Sequence, residues 1–255
     1  MGKNQKKNRE NVFPWWKRYG ETIRETRERF LLFHPTLREK PIRYEGRLDP
    51  LAEGIILFVL PHSGEERLRH LEKEYEVEIL LGFRTDSIDI LGFVEEVSSS
   101  PLSRELIHSS QEKAKELLDG CRQFPIPLYS SPYIKGLRKN EYQEKIVIKE
   151  MCFTDITLKP SSFIRRKDFF SFLERWIPSI PGDFRQQKIL HRWKQVESLL
   201  PEEIQIIHFS LHTNSGAYVR TFISEFTKQS GIPATSLRIR RNAIGEWGRK
   251  HCPFE

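Results

Sequence analysis

The sequence predicts an α+β fold with a mostly antiparallel sheet. Three observations predict it. Short apolar or alternating runs recur at 55–60, 75–81, 145–158, 204–213 and 237–247, the mark of strands. Apolar residues at helical spacing recur at 20–33, 103–119 and 219–230. The two kinds neither alternate strictly nor segregate into halves.

Residues 1–12 hold Lys3, Lys6, Lys7 and Arg9 among polar neighbours and read as a flexible basic arm. In 20–33, Ile23, Phe30 and Phe33 lie near one helical face, and Glu25 precedes Arg29 by four residues, the favourable order for an ion pair. Glu53-Gly54 leads into a short apolar run ended by Pro61, a buried strand. Residues 64–74 are charged and read as helix. In 75–81, Tyr75, Val77, Ile79 and Leu81 share one face against Glu76 and Glu78, so this strand is half-buried and closes at Gly82. Another strand starts at Gly92. Ser103 is placed to cap a helix that Gly120 ends. Three prolines break up 123–136, which reads as a loop.

Between the strands at 145–158 and 204–213, residues 160–203 carry two helical patterns. Phe169, Phe170, Phe172, Leu173 and Trp176 form the first; Ile189, Trp193, Val196 and Leu200 form the second. This stretch is too short for an independent core and reads as a helical insertion between strands of one sheet. The organisation expected is therefore the arm at 1–12 and one domain at 13–255.

Composition narrows the function. Seventeen Phe, seven Tyr and five Trp argue for a folded chain. Lys and Arg number 42 against 35 Asp and Glu, and the +7 balance favours a polyanionic partner. Cys121, Cys152 and Cys252 form no C-x-x-C pair, so neither a disulfide framework nor a zinc knuckle is expected. The run Ile55–Leu60 is too short to span a bilayer, and the first ten residues hold no apolar leader core. A soluble cytoplasmic protein follows as the expectation. Walker A, GxGxxG, HExxH, GxSxG and EF-hand patterns are missing, as is any metal-ligand spacing.

The densest motif is Gly46-Arg-Leu-Asp-Pro-Leu-Ala-Glu-Gly54. Pro50 forces Asp49 out of the α region, so the carboxylate sits on a stiff turn before a buried strand. Taken alone, Asp-Pro is an ordinary turn former. The nonapeptide, however, resembles the active-site motif of the TruB family of tRNA pseudouridine synthases. Lys73-Glu-Tyr75 and the block Gly82-Phe-Arg-Thr-Asp-Ser-Ile-Asp-Ile-Leu-Gly92 resemble the next motifs of that family. So do Pro127-Leu-Tyr-Ser130 with Gly136, Gly216-Ala-Tyr-Val-Arg-Thr221, and Ile239-Arg-Arg241 with Gly245. Lys17 to Thr22 is weakly similar to its N-terminal motif. These occur in the family's order and cover nearly the whole chain outside 160–203.

The resemblance implies a pseudouridine synthase-like catalytic domain, its central mixed, mostly antiparallel sheet flanked by helices. It implies isomerisation of uridine in RNA, with uridine 55 of the tRNA T-loop as the favoured target, by a monomer that needs no cofactor and no metal. RNA is the partner implied, not DNA or a membrane. Asp49 would be the nucleophile or base at the anomeric centre, a task that suits a carboxylate. Arg220 would pair with it and keep it ionised. Tyr75 would stack on the flipped uracil and help remove a proton from carbon. Ile239 would wall the pocket, and Leu48 and Tyr218, within the matched motifs, would line it. Arg47, Arg240, Arg241 and the arm would contact phosphate, which gives affinity but little sequence information. Tyr44 stands where the family has a histidine and would stack in its place. Tyr133 stands where it has a lysine, and Lys135, two residues on, would substitute. The family's C-terminal RNA-binding module finds no counterpart, and 160–203 is extra. Two alternatives stay open: a synthase acting on another RNA, and a non-catalytic RNA-binding or RNA-folding protein on the same scaffold.

Overall fold

The computed structural model describes residues 11–61, 67–68, 70–98, 102–130, 133–134, 137–138 and 147–253. In chain order the elements are β1 (Val12–Lys17), α1 (Ile23–Phe33), β2 (Arg43–Glu45), β3 (Ala52–Val59), β4 (Lys73–Leu81), β5 (Phe83–Thr85) and β6 (Val94–Val97). Next come α2 (Arg104–Leu118), β7 (Gly120–Pro125), β8 (Tyr133–Ile134), β9 (Leu137–Arg138) and β10 (Ile148–Arg165). Then α3 (Arg166–Ser179), α4 (Gln186–Val196), β11 (Glu203–Thr213), α5 (Val219–Ser230), β12 (Ala234–Ile244) and β13 (Trp247–Gly248) complete the chain. Two compact units emerge: Met1–Glu76 with Ile239–Glu255, and Val77–Arg238.

In the first unit β3 is central. β1 pairs with it antiparallel from Val12↔Val59 to Lys17↔Gly54. The last part of β12 pairs with its start in parallel, Ile239↔Ala52 to Arg241↔Gly54. Val12, Trp16, Ile55, Leu57, Val59, Leu68 and Ile244 form one apolar cluster there. Helix α1 starts at a capping box: Thr22 Oγ1 accepts from the Glu25 N–H, and the Glu25 carboxylate accepts from the Thr22 N–H at 2.9 Å. Glu25 is thus used at the cap. The ion pair expected of it is made by Glu21, which Arg29 meets at 2.7 Å. Phe30 stacks on Phe58, ring centroids 4.1 Å apart, and fastens α1 to β3.

In the second unit β10 lies between β11 and β7, antiparallel to both. Helices α2 and α5 pack together. Phe153, Phe209 and Phe222 interlock, with centroids 5.3 to 5.5 Å apart in the two Phe222 pairs. Within 160–203 lie helices α3 and α4, the first of which begins only at Arg166. β10 runs on to Arg165 and stays paired with β11 as far as Arg165↔Glu203. Two register shifts, at Thr154/Thr157 and Lys159/Ser162, absorb the residues that would otherwise end the strand, Pro160 among them. Helices α3 and α4 then sit at the end of this hairpin. They are anchored on β5: Trp193 packs against Phe83 and Phe169 with centroids 5.0 and 5.4 Å away.

Other expectations change. β1 and β7 carried no clear strand pattern. β1 sits at a sheet edge, where Pro14 is tolerated because its missing N–H costs nothing. Cys121 stands directly across from Cys152 in the β7–β10 ladder, and the two form a disulfide. The expectation of unpaired cysteines is therefore corrected: residues 31 apart in sequence meet because two strands align them. Cys252 is a free thiol. β1 already includes Val12, while residues 1–10 of the predicted arm lie outside the described residues, as do 64–66 and 69 of the charged stretch; Lys73 and Glu74, read as the end of a helix, belong to β4.

Candidate active site

Asp49 lies half-exposed on the turn that enters β3. Its carbonyl closes the turn by accepting from the Ala52 N–H at 3.0 Å. Two cationic side chains hold this turn. Lys17, at the end of β1, is wholly buried. Its ammonium donates to the carbonyls of Ala52 at 2.6 Å, Pro50 at 3.0 Å and Arg18 at 3.2 Å. Burial pushes the Lys17 pKa down to about 7, and the carboxylates of Glu21 and Asp49 act in the opposite sense. Gly20 adds an N–H bond to the Pro50 carbonyl at 3.0 Å.

Arg241, on β12, holds the other side. It is 1% exposed. Its Nε and Nη2 donate to the Ile55 carbonyl at 2.8 and 2.6 Å, Nη2 also to the Gly46 carbonyl, and Nη1 to the Tyr75 hydroxyl at 3.2 Å. The two glycines of the motif make room for it. A Cβ on Gly46 would lie 2.8 Å from Arg241 Nη2, and one on Gly54 would lie 2.7 Å from the Arg241 backbone nitrogen. Both have positive φ, at 78° and 128°. Arg241 is thus a buried clamp, and the reading of it as a phosphate contact is corrected. Its guanidinium is spent on backbone carbonyls and the Tyr75 hydroxyl. Arg240 points the other way and pairs with Glu53 at 2.9 Å and Glu76 at 3.7 Å.

The remaining predicted residues of this unit fall as follows. Tyr75 is 5% exposed, its hydroxyl tied to Arg241. Leu48 and Ile239 are buried; Tyr44 and Arg47 are exposed.

In the second unit Arg220 lies in the first turn of α5 and is 4% exposed. It donates to the carbonyls of Ser87 at 3.0 Å and of Leu128 and Tyr129 at 3.4 Å. Tyr218 is the N-cap residue of α5 and half-buried. Asp86 accepts from the Phe93 N–H at 2.8 Å with one oxygen and from the Tyr129 hydroxyl at 3.0 Å with the other. Burial, then the charge of Asp86, raises the pKa of Tyr129. Asp49, Tyr75, Ile239 and Arg241 thus belong to the first unit and Arg220 and Tyr218 to the second. Lys135 lies outside the described residues.

Sequence reasoning missed two anchors. Lys17 entered only through the weak N-terminal similarity, with no role attached to it. Arg185 of the insertion, which reaches Asp86 at 3.2 Å, carried no sequence signal.

Comparison with known proteins bears on this geometry. The family model described as TruB family pseudouridylate synthase (N terminal domain) matches residues 35–170. tRNA pseudouridine synthase B of Lactobacillus delbrueckii subsp. bulgaricus is 26% identical over 211 residues, which covers 81% of this chain and 60% of that protein. The protein of the same name from Bacillus subtilis is 24% identical over 218 residues, covering 85% and 60%. The chain thus spans about 60% of the length of these curated relatives. Among solved structures, a Cbf5-Nop10-Gar1 complex contains a similar chain, with TM-score 0.54, 15% identity, and coverage of 97% of this chain and 53% of that one. The Nop10-Cbf5 complex of the archaeal box H/ACA sRNP gives 0.51, 14%, 94% and 49%. These two likenesses show the α+β fold.

Proposed function

The chain belongs to the TruB family of pseudouridylate synthases, and on that premise we propose that it isomerises uridine to pseudouridine in RNA. The observation that carries the reading is the state of Asp49. A half-exposed carboxylate sits on a turn held from one side by Lys17 and from the other by Arg241. Such rigidity has a chemical use. The reaction breaks the bond between the ribose anomeric carbon and the uracil nitrogen, turns the base, and joins the same carbon to a ring carbon that then loses its proton. A carboxylate fixed beside the anomeric carbon can act as nucleophile or base. We assign that role to Asp49.

Tyr75 gives the flipped uracil a stacking face and takes part in proton removal. Arg220, held by the carbonyls of Ser87, Leu128 and Tyr129, is assigned a part in the reaction as well. Tyr44 and Arg47, both exposed, meet the RNA outside the pocket. A tRNA is the favoured substrate, because the curated relatives carry the name tRNA pseudouridine synthase B; within it we propose uridine 55 of the T-loop, on the motif resemblance alone.

The test pairs two RNAs. The protein is incubated with unmodified T-arm RNA and with a bulk RNA mixture, and pseudouridine is mapped in both. Asp49→Asn keeps the shape and removes the charge, and is expected to slow product formation by about 100-fold or more. Equal rates for variant and wild type would remove Asp49 from the chemistry. Product only in the bulk mixture would move the substrate away from the T-loop. Binding with no pseudouridine in any RNA would favour an RNA-binding or RNA-folding protein.

A further inference from the structure

We propose that Arg185, carried by the helical insertion, is a positioning residue for Arg220. The proposal rests on the catalytic reading above and adds to it a residue from outside the matched motifs.

Arg185 opens α4 with a left-handed backbone, φ 62°. Its turn is firmly built. The Asp183 carboxylate accepts from the Arg185 N–H at 3.1 Å, and Gln186 bonds to the Ile180 and Gly182 carbonyls at 2.9 and 2.7 Å. From this turn the guanidinium lies over the rings of Phe93 and Tyr129, 4.5 and 4.9 Å from their centroids. Nη1 and Nη2 both reach one oxygen of Asp86, at 3.2 and 3.3 Å, and Nη1 donates to the Tyr129 hydroxyl at 3.2 Å. Isolated surface ion pairs contribute little. This one differs, because the carboxylate is mostly shielded and the cation is stacked on two rings.

What Arg185 grips is what holds Arg220. Asp86 is followed by Ser87, whose carbonyl accepts from Arg220, and Tyr129 offers its own carbonyl to the same guanidinium. Ile88 and Tyr129 have positive φ, at 61° and 56°, which residues with side chains rarely adopt and which neighbouring contacts must maintain. Arg185 ties the two segments together at Asp86 and the Tyr129 hydroxyl. Arg220 receives the carbonyls those segments present. Loosening the tie lets the carbonyls drift and the Arg220 guanidinium with them, and small misplacements of that kind are costly in rate.

The experiment measures the single-turnover rate at saturating unmodified T-arm RNA, and the Kd for the same RNA, in wild type and variants. Arg185→Ala is expected to lower the rate by about 10- to 100-fold and to leave Kd within about three-fold. Arg185→Lys recovers only part of the rate, since an ammonium lacks the planar fork and stacks less well. Tyr129→Phe, which removes one hydroxyl, gives a smaller fall. Thermal melts accompany each variant; should Arg185→Ala unfold, the Lys and Phe variants carry the test. An unchanged rate in Arg185→Ala overturns the proposal and leaves the catalytic reading standing. A loss confined to Kd also overturns it and makes Arg185 an RNA contact. A wild type that forms no pseudouridine in any RNA overturns both readings.

Discussion

The ammonium of Lys17 donates a 2.6 Å hydrogen bond to the carbonyl of Ala52, three residues beyond Asp49. A strand that precedes the motif thereby fixes the turn that carries the carboxylate. Lys17 is buried, with a pKa near 7 against an ordinary 10.5. Between those values the unfolded chain binds more protons than the folded one, so this residue's contribution to stability rises with pH. It is complete above 10.5 and lost as the pH falls toward 7. Lys17→Met removes both the titration and the bonds to the carbonyls. We expect it to cost about 1–3 kcal/mol, and the deficit relative to wild type to grow between pH 7 and 10. Urea unfolding at several pH values reads this. A deficit that stays level across the window would mean that the lysine remains charged in the fold.

Gly54→Ala is expected to be severe. The new methyl would meet the backbone of Arg241, its partner in the parallel β3–β12 pairing, and φ is 128°. Strain and steric conflict together predict a loss of about 3 kcal/mol or more. Gly82→Ala is the control, because its φ of 98° is also unfavourable but nothing lies within 4 Å of the added atom. It should cost about 1 kcal/mol. Equal losses in denaturant would mean that backbone strain alone, and not the close approach to Arg241, sets the requirement for glycine at 54.

The Cys121–Cys152 disulfide closes a loop of 31 residues. Loop-closure entropy predicts that reduction, or Cys121→Ala, lowers stability by about 3–4 kcal/mol. Reductant should add nothing to the variant's loss. The Cys252 thiol offers a second readout. Burial pushes its pKa up to about 11, so at pH 8 it is almost wholly protonated and should react slowly with a thiol reagent until the protein unfolds. Rapid release of three thiols from unreduced native protein would overturn the pairing.

Trp193 ties the insertion to the rest of its unit. The ring is fully buried against Phe83 and Phe169, and its Nε1 donates to the Ile90 carbonyl at 3.2 Å. Trp193→Ala is expected to cost about 3–5 kcal/mol. Deleting the two helices as a block should destabilise what remains, because Phe83 loses its cover. A deletion variant that melts with wild-type cooperativity and midpoint would show the insertion to be an appendage.

What the sequence made legible follows from range. β4 was readable because Tyr75, Val77, Ile79 and Leu81 alternate against glutamates, a local pattern enforced by one buried face. Helices α1, α2 and α5 were readable for the same reason, and Ser103 does cap α2. β10 was cut short because bulges hide a strand's period. The disulfide was missed because its register depends on which strands become neighbours. The largest misreading was Arg241. Its charge suggested a phosphate contact, although strand alternation sets it on the buried face of Leu237 and Ile239, and its targets are carbonyls 186 and 195 residues earlier in the chain. Asp49 stood out through its motif, whereas the groups that hold its turn in place became visible only in three dimensions.

That clamp has a consequence for the order of synthesis. A ribosome makes the Asp49 turn early and Arg241 nearly two hundred residues later. Until β12 emerges, the nascent chain carries the Asp49 carboxylate on a turn whose second anchor does not yet exist. Contacts of such sequence separation also form slowly. The Asp49 loop should therefore be among the last parts of the protein to become rigid.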